Sequence, residues 1–288
     1  MPLSAPVPRA IRAVPAVSKQ DVVVQFDNVR LDYAGKKKRI TALDASNFSI
    51  RRGEFVAFTG PSGCGKSTIL KLISGIIPPS AGSIFISGRE IGAMPVRIGI
   101  SFQNPTLLPW LTVRRNVMMP LRIVPPFKDE FRAKKNSEFL DRANALLAQV
   151  GLSKFADHYP WQLSGGMMQR AWICRALIHD PTLLLLDEPF GALDAFTREE
   201  LWGILQTLFI RHRPTVLLVT HDLNEAAFLA DRIFTMTPSP GCISDESAAN
   251  FARPRNLDLM RTLEFTSLTF RLRDLIADAH RNDRHEVV

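Results

Sequence analysis

The stretch Gly60-Pro61-Ser62-Gly63-Cys64-Gly65-Lys66-Ser67-Thr68 decides how the rest of the chain is read. It fits G-x-x-x-x-G-K-[ST], with Gly60, Gly65, Lys66 and Ser67 in the fixed places. Before it stands Phe55-Val56-Ala57-Phe58-Thr59, an apolar run with the length of a buried strand. After it, Thr68–Gly75 places apolar residues at helical spacing and ends on a glycine stop. Strand, glycine loop and helix are the setting of a phosphate-binding loop. Successive backbone N–H groups form an anion nest, and the helix start adds the positive end of its dipole. Lys66 is placed to reach β- and γ-phosphates, and the Ser67 hydroxyl to ligate Mg²⁺. Cys64 reads as a small tolerated side chain, its thiol open to alkylation and protected by bound nucleotide.

Working outward, 288 residues suffice for one large α/β domain or two modest ones. Hydrophobic residues make up 46% and charged residues 22%, which excludes a disordered or membrane-embedded composition. No stretch approaches the about 20 continuous apolar residues of a membrane span. Cys64, Cys174 and Cys242 show neither metal spacing nor an even framework, so a reducing compartment is expected. Net charge is +8, but the basic residues are scattered rather than striped. Lys36–Arg39 reads as a solvated hairpin tip.

Residues 1–20 carry Pro2, Pro6, Pro8 and Pro15 and no apolar core for a signal peptide, so a disordered tail is expected. Val22–Phe26, Val29–Tyr33 and Phe48–Ile50 alternate as strands, with turns at Asn47 and Arg51–Glu54. Together they predict a small antiparallel sheet. Ser83–Ile86 and Ile98–Gln103 read as further strands. From about Asn104 to Asp180 helical patterns take over, as in Phe139–Val150 with Leu140, Ala143, Leu146, Leu147 and Val150 on one face. This predicts an inserted helical subdomain. Leu183–Asp187 and Thr215–Val219 are continuous apolar runs fit for central parallel strands, joined by a crossover helix over Thr197–Ile210.

Two stretches carry further chemistry. Leu183–Pro189 delivers Asp187 and Glu188 at the carboxyl end of a strand, where ligands of open parallel sheets sit. Asp187 can hold Mg²⁺, and Glu188 can polarise an attacking water. Leu163–Arg170, LSGGMMQR, offers a second anion-binding helix start at Ser164, Gly165 and Gly166. One chain needs only one phosphate nest per nucleotide. Two are needed if each chain of a dimer closes the other's site.

With these stretches in place, the sequence resembles the nucleotide-binding subunit of an ATP-binding cassette (ABC) transporter over about residues 22–240. In that resemblance Gln103 matches the Q-loop glutamine, Leu163–Arg170 the signature and Leu183–Pro189 the Walker B strand. Gly191–Asp194 matches the D-loop, His221 the switch histidine and Tyr33 the aromatic that stacks on adenine. Met168 departs from the signature, which more usually has glutamine there.

The resemblance implies an α/β fold: a P-loop NTPase (RecA-like) core, an N-terminal antiparallel β subdomain and an inserted helical subdomain. The expected boundaries are 1–20 for the tail, 21–243 for the ATPase domain (helical subdomain about 104–180) and 244–288 for a short C-terminal helical tail. It also implies ATP and Mg²⁺ as cofactors, with Glu188, His221, Gln103 and Lys66 catalytic and Ser67, Gln103 and Asp187 at the metal. Gly60–Thr68, Tyr33 and Asp194 would contact nucleotide. Ser164, Gly165 and Gly166 of a second copy would complete the site.

The partners implied are a second ATPase subunit, a separate membrane permease and, indirectly, a substrate-binding protein, at the cytoplasmic face of the inner membrane. No nucleic acid is expected. Residues Asn104–Val113 are expected to include the permease-gripping groove, with Trp110 either there or in the helical-subdomain core. Too few residues follow His221 for the regulatory barrel of sugar-importer ATPases. Leu107–Trp110, Leu223–Ala226, Ser239–Ile243 and Arg253–Arg255 resemble the importer branch serving nitrate, taurine and alkanesulfonates, although Cys242 replaces a basic residue. The alternatives are a soluble ABC ATPase acting on ribosomes or nucleic acid, and an exporter ATPase.

Overall fold

The structure, a computed structural model, describes residues 21–34, 39–92, 96–103, 106–238 and 240–285. Two long strands open it, β1 (Val22–Ala34) and β2 (Arg39–Arg51), followed by β3 (Phe55–Thr59). The glycine loop leads from β3 into α1 (Lys66–Ile73). Next come β4 (Ala81–Ile86), β5 (Arg89–Glu90) and β6 (Ile98–Ser101). A helical stretch contains α2 (Val113–Met118), α3 (Phe127–Lys134), α4 (Glu138–Gln149) and α5 (Gly165–Leu177). The chain then alternates through β7 (Leu183–Asp187), α6 (Ala195–His212), β8 (Thr215–Val219), α7 (Leu223–Leu229) and β9 (Arg232–Met236). It closes with β10 (Ile243–Ala248) and α8 (Leu263–His285).

These elements make two sheets. The first, ordered β2-β1-β4-β5, is antiparallel throughout. The second is six-stranded, ordered β10-β9-β3-β8-β7-β6, and parallel except where β10 meets β9. Alternation explains why the parallel strands read as continuous apolar runs. Leu183 and Leu185 face the antiparallel sheet and α1, while Leu184 and Leu186 face the helices around Trp172 and Phe190. Both faces are covered, and even the polar side chains these strands carry, Thr59, Ser101, Thr215 and Thr235, are buried.

Three sequence expectations differ from the structure. Val22–Phe26 and Val29–Tyr33 form one strand, irregular between Phe26 and Val29, where Asn28 adopts a φ of 47°. Asn47 lies within β2 rather than in a turn. Its side chain accepts from the Asn28 backbone N–H at 2.8 Å and donates to Asn28 Oδ1 at 2.9 Å, satisfying the ladder where the register slips. The boundary at 243 falls at the first residue of β10. The segment after it is integrated, with Phe265 and Leu272 of α8 buried in the main core. Expectations for residues 1–20, 36–38, 104–105 and 239 lie outside the described residues. Among the described residues, 106–180 contain no strand.

Candidate functional site

A parallel sheet delivers the carboxyl ends of its strands to one edge. β3, β6, β7 and β8 are hydrogen-bonded in register, with Phe58 opposite Val219, Asp187 opposite Val219 and Ser101 opposite Leu186. The glycine loop, Gln103, Asp187–Glu188 and His221 therefore arrive together from positions far apart in sequence. A cavity of about 730 Å³ lies at this edge. Among the residues lining it are Tyr33, Gly65, Lys66, Gln103, Glu188 and His221. Ser62, Gly63, Ser67 and Thr68 also face it.

The polar groups meet directly. Ser67 Oγ donates to Asp187 Oδ1 at 2.8 Å. Gln103 Nε2 lies 3.4 Å from Glu188 Oε2, and His221 Nδ1 lies 3.2 Å from the same oxygen. Burial pushes the Asp187 carboxyl above its ordinary value and the Glu188 charge adds to this, while the Ser67 hydroxyl opposes it. Glu188 holds a positive φ of 44°, with its N–H bonded to Val219 O on β8. The turn that aims this carboxylate is thus fastened to the strand that leads to His221. Among the described residues no group of three His, Cys, Asp or Glu could cage a metal. The Ser67 hydroxyl and Asp187 carboxylate, brought together, are instead a donor pair that suits Mg²⁺, which takes one or two carboxylates with phosphates and water.

The loop itself is clasped by backbone. Gly65 caps α1 with φ 93°, and a Cβ there would stand 2.8 Å from Ala42 O on β2. The Lys66 ammonium is buried against Gly60 O at 2.9 Å and Pro61 O at 2.7 Å, with Cys64 Sγ at 3.6 Å. Cys64 corrects the sequence expectation. Its thiol is fully buried inside the loop, and burial raises its pKa although Lys66 opposes this, so it is not open to alkylation.

Tyr33 is half-exposed at 39% and pairs across the hairpin with Ile40, so it stands at the cavity rim rather than in the strand core. Eight predicted residues do not line this cavity: Gly60, Pro61, Cys64 and Asp187, described above, and Ser164, Gly165, Gly166 and Asp194. Ser164 caps α5 by accepting from Met167 N–H, with Gly165 and Gly166 in the first turn. Asp194 caps α6, accepting from Thr197 N–H at 3.0 Å and Thr197 Oγ1 at 2.7 Å; these bonds hold its pKa below the ordinary value. Trp110 is 69% exposed, beside a segment pinned by buried Asn116, which bonds Leu108 N–H and the Leu108, Leu111 and Thr112 carbonyls. Near it, Arg114, Arg115, Met118, Arg122 and Tyr159 border a second cavity of about 650 Å³.

Sequence reasoning missed three supports of the site. Gly241 bridges to β2, donating to Ala42 O and accepting from Asp44 N–H, and lies against the Cys64 carbonyl. Asp222 caps α7 through Asn224 and Glu225 N–H. Glu225 is buried; its carboxyl accepts from Thr220 Oγ1 at 3.0 Å, and burial pushes its pKa up to about 8. The spacing Asp222-x-x-Glu225 before an apolar run is a helix-start signal that could have located this pair.

The family model described as ABC transporter matches residues 43–191. A taurine import ATP-binding protein, TauB of Escherichia coli, is 41% identical over 80% of this chain and 86% of its own length. The chain belongs to the ABC transporter family. A second relative in that family, the bicarbonate transport ATP-binding protein CmpD of Synechocystis, is 42% identical over 85% of this chain and 86% of its own. Among solved structures, a dimeric post-hydrolysis ATP-binding cassette bound to ADP and Pi aligns with TM-score 0.66 and 33% identity. It covers 80% of this chain and 100% of that one. This ABC protein is an ATP-binding subunit that couples ATP hydrolysis to transport.

Proposed function

We propose that the chain drives uptake of a small anion of nitrate, sulfonate or taurine type through a separate permease, working as a head-to-tail dimer with Mg²⁺-ATP on the cytoplasmic membrane face. One observation carries the reading. Lys66, Ser67, Gln103, Glu188 and His221 line one cavity, with Asp187 bonded to Ser67, while the signature helix start at Ser164 stands apart from it. A second copy is what would bring that helix start to the γ-phosphate. Among the described residues no helix is long and apolar enough to cross a membrane, and the permease would be another chain. The cavity bordered by Arg114, Arg115 and Arg122, with exposed Trp110 nearby, suits a permease helix. Relatives named for taurine and bicarbonate favour a small anionic cargo.

In this reading Lys66 exchanges its loop carbonyls for phosphate oxygens. Glu188 takes a proton from the attacking water as the water oxygen bonds the γ-phosphorus, while the bond from that phosphorus to the β,γ-bridging oxygen breaks and its electrons leave with ADP. His221 and the loop N–H groups hold the charge that develops on the phosphoryl oxygens. Mg²⁺, held by Ser67 and Asp187 with Gln103 alongside, would supply charge neutralisation across the β- and γ-phosphates. Removing the Glu188 carboxylate while keeping its shape isolates the chemical step. Glu188→Gln should cut turnover by roughly a hundredfold or more and prolong the ATP-bound dimer on size exclusion. Unchanged turnover with no dimer accumulation would remove the assignment. A pull-down of that variant from native membranes with ATP should recover a multi-span permease, whose binding protein then names the cargo. Ribosomal or DNA-associated chains alone would move the protein to the soluble class.

A further inference from the structure

The switch segment and the turn after Glu188 are separate loops, yet one side chain grips both. Arg198, in the first turns of α6, sends Nη1 to Asp222 Oδ2 at 2.9 Å and Nη2 to Leu193 O at 3.0 Å. We propose that Arg198 is a positioning residue whose fork ties the 191–194 turn to the switch segment, so that His221 and Glu188 are held, and released, as one unit. The proposal rests on the ATPase reading above and names a part of the same site that does not touch nucleotide.

Each end of the tie leads to a reacting group. On one side, Gly191 N–H bonds Glu188 O and Leu193 N–H bonds Phe190 O, so the turn from Glu188 to Leu193 is a short hydrogen-bonded rod. On the other, Asp222 neighbours His221 in sequence and is itself fixed. Its Oδ1 accepts from Asn224 and Glu225 N–H, and its own N–H goes to Thr220 Oγ1. Thr220 is anchored to buried Glu225. The residues flanking His221 are therefore held while its ring, with the side chain 64% exposed, stays free to meet Glu188 Oε2. Arg198 and Asp222 are only 27% and 22% exposed, which limits screening of the pair. A planar guanidinium can serve two acceptors in fixed directions, whereas a lysine ammonium is a compact point charge on a flexible stem.

The experiment is steady-state ATP turnover of the full-length chain with Arg198→Met, Arg198→Lys, Asp222→Asn and the Met/Asn double variant. A binding titration with a non-hydrolysable ATP analogue runs in parallel. Asparagine caps helices about as well as aspartate, so Asp222→Asn keeps the start of α7 and removes only the charge that Arg198 grips. The expected result is a fall in kcat of about tenfold for each single variant, with KM within about twofold of wild type. Arg198→Lys should not restore activity, and the double variant should be no slower than either single. Multiplying effects in the double variant, full rescue by lysine, or a raised KM with intact kcat would overturn the clamp. Should Arg198→Met fail to fold, Asp222→Asn decides alone, with analogue binding as its folding control. The two readings fail differently: wild-type turnover indifferent to Glu188→Gln sinks the ATPase assignment. Arg198 variants matching an active wild type sink only the clamp.

Discussion

The starts of α1 and α5 both bear glycine, but they are stabilised from opposite directions. At α1 no side chain caps the helix: Gly65 sits at φ 93°, and its order comes from outside, from Ala42 and the β9–β10 turn. At α5 the Ser164 hydroxyl accepts from Met167 N–H, and the helix start packs on the start of α6 through Thr197. The first arrangement leaves the N-terminal N–H groups of α1 without a side-chain acceptor, which is the arrangement a phosphate requires. The second closes a helix on itself and presents it outward. One end of the protein is an anion cradle made within one chain; the other is shaped to be offered to something else.

The largest effect should come from disturbing the external clasp. Gly65→Ala adds a methyl 2.8 Å from a backbone carbonyl that cannot swing away, at a φ that alanine resists. ATP affinity, read by titration with a fluorescent analogue, should fall at least about a hundredfold while the chain still melts cooperatively. Tight binding in this variant would mean that the loop is not held by β2 and that the contrast between the two helix starts is wrong.

A smaller and differently shaped effect is expected at α5. A Cβ on Gly166 would stand 2.6 Å from Thr197 Cγ2. Thr197 is β-branched, and both its N–H and its hydroxyl are committed to Asp194, so it can yield only by loosening the cap of α6. Gly166→Ala should lower stability by about 1 kcal/mol, the usual scale of a damaged cap. It should leave ATP binding to the separate chain intact but weaken ATP-driven dimerisation, measured by size exclusion in the Glu188→Gln background. If nucleotide affinity falls instead, α5 contributes to its own chain's site and the division drawn above fails.

The two regions also differ in how far the sequence announces them. Gly60–Thr68 and Leu183–Glu188 are legible because their constraints are local: strand, turn and helix start lie within one short window. The helical face of α4 is legible for the same reason, with Ala143, Leu146, Leu147 and Val150 buried as its spacing predicts, although Phe139 rather than Leu140 completes it. The C-terminal segment is the counter-example. In the sequence Arg253–Arg255 carries only a family resemblance, with no sign of where its charges lie. Arg255 lies inside, its side chain 1% exposed, bonding the Ala227, Phe228, Ala230 and Ala249 carbonyls around the end of α7. A buried arginine is satisfied by carbonyls more than twenty residues upstream, which no window of local periodicity records. Arg198 escaped notice for a related reason: its two acceptors belong to loops that only the fold brings together.

Tyr33 offers the smallest test. It sits on β1, outside the parallel sheet, half-exposed at the rim of the cavity and opposite Ile40 on the neighbouring strand. Among the described residues, none of the reacting cluster is hydrogen-bonded to it, so a ring there could hold a purine without influencing Glu188 or His221. Such a contact would be made equally in the ground and transition states, and uniform binding changes KM rather than kcat. Tyr33→Ala should therefore raise the KM for ATP by about tenfold, the scale of one lost aromatic stack, with kcat little changed. Tyr33→Trp should restore most of the affinity, because the larger ring still offers a flat face. A fall in kcat at unchanged KM would place Tyr33 among the groups that position the chemistry, and the cradle would then extend beyond the sheet edge onto the antiparallel layer.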